Sequence, residues 1–92
     1  MDWPFDDPPN LAVIATRPVM SGESWIASVY HDDDDGGWQF HGVETVGVDE
    51  AKVVGLKRVF ELDPSIGELA DLPLGWQALR VSRDAPWQRA KL

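Results

Sequence analysis

The strongest local signal in the chain lies in residues 25–41, which read WIASVYHDDDDGGWQFH. Residues 25–31 are rich in aromatic and β-branched side chains, and residues 38–41 alternate aromatic with polar ones, so both segments favour β-strands. The Asp and Gly residues between them tolerate turn geometry. The stretch therefore predicts a β-hairpin with an acidic turn. The length of this turn leaves the pairing register open by one residue, and a shift of one residue moves every side chain to the opposite face of the sheet.

Apolar runs outside the hairpin predict three further strands. Residues 11–16 are short, apolar and β-branched, which is typical of a strand buried on both faces, and Pro18 ends this run. Residues 52–56 favour a fourth strand. Residues 76–81 alternate and favour a fifth, after a turn that contains Pro73. Residues 42–50 are expected to form a loop.

Two short helices are expected in the second half of the chain. Leu56, Val59 and Phe60 lie at i, i+3 and i+4, which is the spacing of one helix face. Pro64 disfavours helical geometry in Asp63, so the first helix ends there, and the same Asp-Pro pair is suited to start the next helix. We therefore predict an α+β fold with an antiparallel or mixed sheet of about five strands and one or two short helices packed on one face.

A single domain is expected, because 92 residues allow one small core. Residues 1–10 contain three prolines and predict an extended N-terminal tail. Its Trp3 and Phe5 either pack onto the domain, which is the preferred interpretation, or serve as a small acidic-aromatic docking peptide. Residues 11–88 form the single α+β domain, and residues 89–92 a C-terminal tail. The predicted core consists of large apolar side chains from the strands and helices: Val13, Ile14, Trp25, Phe40, Val54, Phe60, Leu69 and Trp76.

Composition narrows the possible functions. The formal net charge of −8 argues against a nucleic-acid partner, because phosphate binding depends on clustered Lys and Arg. The absence of Cys excludes a disulfide scaffold, a thiolate metal site and a thiol nucleophile. No apolar run reaches the roughly 18 residues that a membrane span needs, so no membrane partner is expected. The acidic, proline-containing N-terminus differs from a signal peptide, and a cytoplasmic location is expected.

Charge is unevenly distributed along the chain. Residues 1–50 hold 11 of the 16 acidic residues and only one basic residue, Arg17. Such asymmetry can steer a charged partner or favour head-to-tail self-association, so we expect a monomer or a weak homodimer. The basic and aromatic residues near the C-terminus, among them Arg80 and Trp87, are interpreted as Arg side chains lying over core Trp rings.

Metal binding and catalysis find little support in the motifs. The run Asp32–Asp35 lacks the spaced ligands and closing Glu of a calcium loop. His31 and His41 would share one face if the strands paired about residue 35, and two imidazoles with an Asp would suit zinc, but no third His and no Cys is present. Both histidines are therefore weak metal candidates, and no cofactor is predicted.

No enzyme is predicted either, because the sequence contains no GxSxG, P-loop or GxGxxG motif. An enzyme would need a concave pocket that joins Glu44 or Glu50 to a His and an Arg.

Several segments carry a family resemblance. They are His31 to Phe40, Leu62 to Ile66, and Asp71 to Ala78 together with Arg80 and Trp87. Over roughly residues 11–88 the chain resembles a bacterial domain-of-unknown-function family that is similar to the immunity-protein-thirty-three-like group of toxin–immunity gene neighbourhoods. The resemblance implies a small α+β module that binds and blocks a toxin, and it supplies no catalytic residue.

The leading hypothesis is a non-enzymatic protein-binding module. Asp32, Asp33, Asp34 and Asp35 would steer a basic partner such as a toxin, and Trp38 and Trp3 would be its aromatic anchors. The alternative is a small-ligand or metal-binding regulator that uses the acidic hairpin turn with His31 and His41.

Overall fold

The computed structural model describes residues 3–44 and 46–92. Residues 1 and 2 of the predicted N-terminal tail and residue 45 of the predicted loop lie outside the described residues. Across the described part of the chain, no helix has the length and apolar character that a bilayer crossing requires.

Six strands form one mixed sheet. They are β1 (Ala12–Thr16), β2 (Ser28–His31), β3 (Trp38–His41), β4 (Ala51–Gly55), β5 (Trp76–Leu79) and β6 (Gln88–Lys91). Their order across the sheet is β4-β1-β3-β2-β5-β6. Strands β1 and β3 run parallel, and each other neighbouring pair is antiparallel. The predicted α+β class and the predicted hairpin are confirmed, with six strands in place of about five.

The helical segments are short. They are α1 (Arg17–Ser21), α2 (Leu56–Leu62) and two 3₁₀ helices at Val48–Glu50 and Pro64–Leu69. The helix start at Asp63 forms as expected, because its side chain accepts a hydrogen bond of 3.1 Å from the backbone N–H of Ser65. Helix α1 was not predicted. Its Pro18 lies in the first helical turn, where the missing N–H costs nothing.

The core lies on one face of the sheet, under α2 and the 3₁₀ helix Pro64–Leu69. The buried residues of the strands and of this helical layer pack into one cluster: Val13, Ala15, Val29, Trp38, Phe40, Ala78, Leu56, Val59, Phe60, Ile66, Leu69 and Leu72. Strand β1 is therefore buried on one face and not on both, because Val13 and Ala15 are buried whereas Ala12 is exposed and Ile14 is half-buried. Of the other predicted core residues, Val54 and Trp76 pack against the cluster's edge.

The N-terminal segment packs onto the domain, as predicted. Phe5 is buried among the core aromatics. The rings of Trp3 and Phe60 are nearly perpendicular, with 5.5 Å between their centroids, and the indole N–H of Trp3 donates to the backbone carbonyl of Asp7 at 2.6 Å.

The C-terminal residues correct the predicted organisation. Residues 88–91 are strand β6, paired with β5, so the prediction of a C-terminal tail over residues 89–92 is wrong. Arg89 ties this strand to the helical layer by donating to the backbone carbonyl of Glu68 at 2.8 Å and to the carboxylate of Asp71 at 2.7 Å. An edge strand needs no apolar alternation, because backbone hydrogen bonds to its neighbour hold it in place.

Candidate functional site: the open sheet face and its acidic turn

The sheet face opposite the helical layer carries no charged side chain in its strands. Alternation along the six strands places fourteen residues on this open face: Ala12, Ile14, Thr16, Ser28, Tyr30, Gln39, His41, Ala51, Val53, Gly55, Gln77, Leu79, Gln88 and Ala90. All except Thr16 are half-buried or exposed. Lys, Arg, Asp and Glu make up 26% of the chain, so their absence from these fourteen positions, thirteen of which reach the surface, sets this face apart.

Asp32–Asp35 form the acidic turn between β2 and β3. Two of these carboxylates are engaged locally. Asp35 accepts from the backbone N–H of Gly37 at 2.8 Å, and Asp32 accepts from the side-chain amide of Gln39 at 2.7 Å. Asp33 and Asp34 are exposed. Among the described residues, ion pairs join Arg17 to Glu23 and Glu50, Arg80 to Asp63, and Arg89 to Asp71. None of them involves the acidic turn, so its charge is not neutralised by the described cations.

A shallow cleft of about 520 Å³ lies on the open face beside the acidic turn. It is lined by residues of β2, β3, the turn and the following loop: Ser28, Tyr30, Asp32, Gln39, His41, Gly42, Val43, Glu44 and Val46. Three of them form a hydrogen-bonded chain. The Gln39 amide donates to Asp32 at 2.7 Å, and the Gln39 carbonyl oxygen lies 3.0 Å from Nε2 of His41. The Tyr30 ring meets His41 edge-on, with 5.4 Å between ring centroids.

His41 is shifted toward its neutral form. Burial lowers the pKa of its imidazole below the ordinary value, and the negative charge of Asp32 opposes part of this shift.

The other end of the open face is apolar. Val43, Leu79 and Val81 line a shallow groove there and are 58%, 42% and 86% exposed, respectively. The open face therefore runs from a charged turn, over a polar cleft that includes the carboxylates of Asp32 and Glu44, to a small hydrophobic area. This gradient resembles the combination of apolar contact and charged rim that protein interfaces use.

Trp38 is not a surface anchor, contrary to the prediction. Its side chain is 1% exposed, stacks on His31 at 3.8 Å, and donates its indole N–H to the carboxylate of Asp7 at 2.9 Å. The alternation of β3 places Trp38 and Phe40 on the core face. Trp3 is half-buried against Phe60 and lies with the core aromatics, away from the acidic turn's cleft.

The predicted histidine pair does not form. His31 pairs with Trp38, and Ser28 pairs with His41, so the two imidazoles lie on opposite faces of the sheet. On the core side, Nδ1 of His31 lies 2.6 Å from the backbone carbonyl of Leu72. Within residues 3–44 and 46–92, no group of three or more His, Cys, Asp and Glu residues is arranged to hold a metal ion.

The charged side chains Arg80, Glu44 and Glu50 lie in three different surroundings. Arg80 lies over the Trp87 ring at 4.1 Å and is 6% exposed, which confirms the interpretation of Arg packed on core Trp. The cleft joins Glu44 to His41, but no Arg of the described chain lines it, and Glu50 is instead paired with Arg17 at 2.7 Å.

Sequence reasoning singled out His41 but did not connect it with Tyr30 and Gln39. Each of these residues occupies the side of its strand's alternating pattern that faces away from the core. The pairing register decides which of these positions lie next to each other, so the sequence alone does not group them.

Comparisons of the chain with protein-family models, with curated proteins and with solved structures give no match.

Proposed function

We propose that the chain is a non-enzymatic protein-binding module that docks a basic protein surface onto the open face and the acidic turn. One observation carries the proposal: four adjacent carboxylates at the border of an uncharged, uncovered sheet face have no cationic partner among the described residues. Long-range attraction from such a turn raises the association rate of a positively charged partner. The strand positions of the face carry no Lys, Arg, Asp or Glu, so close contact at those positions desolvates no such side chain of this chain.

The resemblance to immunity-protein families supports a specific form of this proposal. In that form the partner is a basic toxin in the bacterial cytoplasm, and binding blocks it by covering its surface. Two features favour docking over catalysis. The cleft is shallow, and its described lining lacks an Arg to complement Glu44 and His41.

The test begins by capturing binding proteins from the native host on the immobilised full chain and identifying them by mass spectrometry. The association rate constant of the captured protein is then measured at about 50 and 500 mM NaCl. We expect it to fall at least about tenfold at the higher salt concentration, because charges farther apart than about 10 Å are screened at 0.1 M salt.

Two double variants locate the effect. Asp33→Asn/Asp34→Asn removes two exposed charges that make no described hydrogen bond and should slow association severalfold. Glu61→Gln/Glu68→Gln removes the same charge from the helical layer and should leave the rate within about twofold of wild type. A wild-type rate that does not depend on salt, or equal slowing by both double variants, would refute docking through the acidic turn.

A further inference from the structure

The protonation pattern in the cleft follows from simple hydrogen-bond chemistry. A carboxylate only accepts hydrogen bonds, so the Gln39 amide must present its NH₂ group to Asp32 and its oxygen to His41. That oxygen also only accepts, so Nε2 of His41 carries the proton and donates to it. Nδ1 of His41 is therefore left with its lone pair and has no hydrogen-bond donor among the described residues. The lowered pKa of His41 keeps the ring in this neutral form at pH 7.

The remaining lining is equally rich in acceptors. Asp32 and Glu44 contribute carboxylates, and Tyr30 contributes an aromatic ring of the kind on which planar cations stack. No Lys or Arg belongs to the described lining. An anion would meet like charge in this cleft, and an apolar group would bury acceptors without partners. A cation with several N–H donors satisfies the carboxylates, the imidazole lone pair and the ring together, and a guanidinium group offers five such donors in one plane.

We infer that this cleft is a binding site for a guanidinium group. Resting on the proposed function, we assign that group to an Arg side chain of the protein partner, which enters the cleft after the acidic turn has steered the partner to the open face. The shape of the site agrees with this assignment, because the cleft is open and shallow and can admit a side chain carried by another surface.

The experiment uses the full chain without its partner and follows backbone amide shifts by NMR. The probe is arginine blocked at both termini, titrated at constant ionic strength. Blocked citrulline, which has the same shape without the charge, is the matched control. We expect saturable shifts at millimolar concentration that centre on Tyr30, Asp32, Gln39, His41 and Glu44, with at least about fivefold weaker binding of citrulline.

Glu44→Gln tests the site without disturbing the Asp32–Gln39–His41 chain. Its affinity for the probe should fall at least about threefold, whereas Asp84→Asn, an equal charge change on an exposed residue outside the cleft, should leave the affinity unchanged. Shifts spread evenly over all acidic segments, or equal binding of citrulline, would overturn the inference.

A third probe, agmatine, separates a partner's side chain from a free guanidine compound. Agmatine binding at least about tenfold tighter than blocked arginine would overturn the assignment to a partner side chain. Failure of these titrations is distinguishable from failure of the proposed function, because the salt-dependent association of the captured protein with the acidic turn does not depend on the probe.

Discussion

Replacing Arg80 with Ala should destabilise the protein by about 3–5 kcal/mol, because Arg80 links three parts of the fold from a buried position. Its guanidinium donates to the backbone carbonyl of Ile26 at 2.7 Å, to the hydroxyl of Ser65 at 3.0 Å and to the carboxylate of Asp63 at 2.5 Å. The same group stacks on Trp87 at 4.1 Å. Its removal leaves Oδ2 of Asp63 and the backbone carbonyl of Ile26 without the donors that Arg80 supplies, while Oδ1 of Asp63 keeps its hydrogen bonds from Ser65.

The expected cost of Arg80→Ala is a large fraction of the total free energy of unfolding. A domain of 92 residues has a free energy of unfolding of about 5–14 kcal/mol. The Arg80→Ala variant should therefore lose about a fifth or more of its stability. The measurement is urea unfolding followed by circular dichroism, with Arg58→Ala as the matched control, because Arg58 is exposed on α2 and should cost less than about 0.5 kcal/mol.

The dependence on pH provides an independent check on the Arg80–Asp63 ion pair. Burial alone would raise the pKa of Asp63, but hydrogen bonds from Ser65 and Arg80 and the charge of Arg80 lower it below its ordinary value. Folding thus keeps Asp63 ionised where the unfolded chain would protonate it. The stabilisation is complete above the ordinary pKa and is lost as the pH falls through the native pKa. The difference between wild type and Arg80→Ala should shrink over that range. A cost below about 1 kcal/mol at pH 7, or a cost that stays constant down to pH 2, would refute this account.

Three further predictions concern the core, a turn and the cleft. Trp38→Phe should cost about 1–3 kcal/mol in chemical unfolding, because it opens a void and leaves the Asp7 carboxylate without its indole donor at 2.9 Å. Gly75→Ala should cost about 1–2 kcal/mol because Gly75 has a φ of 80°, whereas Gly55→Ala, at a φ of −76° with space for a Cβ atom, should be neutral or stabilising in the same assay. The pKa of His41 is lower in the folded protein than in the unfolded chain, so the unfolded chain binds a proton at a higher pH. Thermal stability should therefore decline as the pH falls from 7 through the native pKa of His41, and His41→Asn should make the melting temperature less dependent on pH over this range.

The local elements that could be predicted are those in which a few neighbouring residues determine the backbone. Trp38–His41 appears as a strand with the predicted bounds, because its aromatic and polar residues alternate at the strand period. Asp63 and Pro64 start a helical segment because capping and a fixed φ are local effects. Strand β6 could not be predicted in this way. Its residues are all exposed, and only pairing with β5 defines it.

The candidate site could not be predicted because its residues depend on a register that the sequence left open. Pairing about residue 35 would place His31 opposite Gln39, on the same face as His41. The observed pairing places His31 opposite Trp38 and so moves it to the core face. The same one-residue difference places Tyr30, and not His31, opposite Gln39 on the face that carries His41. A shift of one residue in the pairing of β2 with β3 thus distinguishes the predicted histidine pair from the observed polar cleft.

Under the proposed function, there is a physical reason for the carboxylates of the turn to lie at the border of the open face while its strand positions make the close contacts. A carboxylate at the centre of a protein interface must lose its water, and this penalty often cancels the attraction to its partner. A carboxylate at the border keeps its water and still attracts from a distance of about a Debye length. Asp33 and Asp34 are exposed at such a border, whereas the strand positions of the open face carry no charge. The acidic turn should consequently govern how fast a partner arrives, and the contacts of Tyr30, Leu79 and Val53 should govern how long it stays. Leu79→Ser should therefore raise the dissociation rate constant of the captured partner at least about threefold without changing the salt dependence of association, and an unchanged dissociation rate would exclude this end of the open face from the interface.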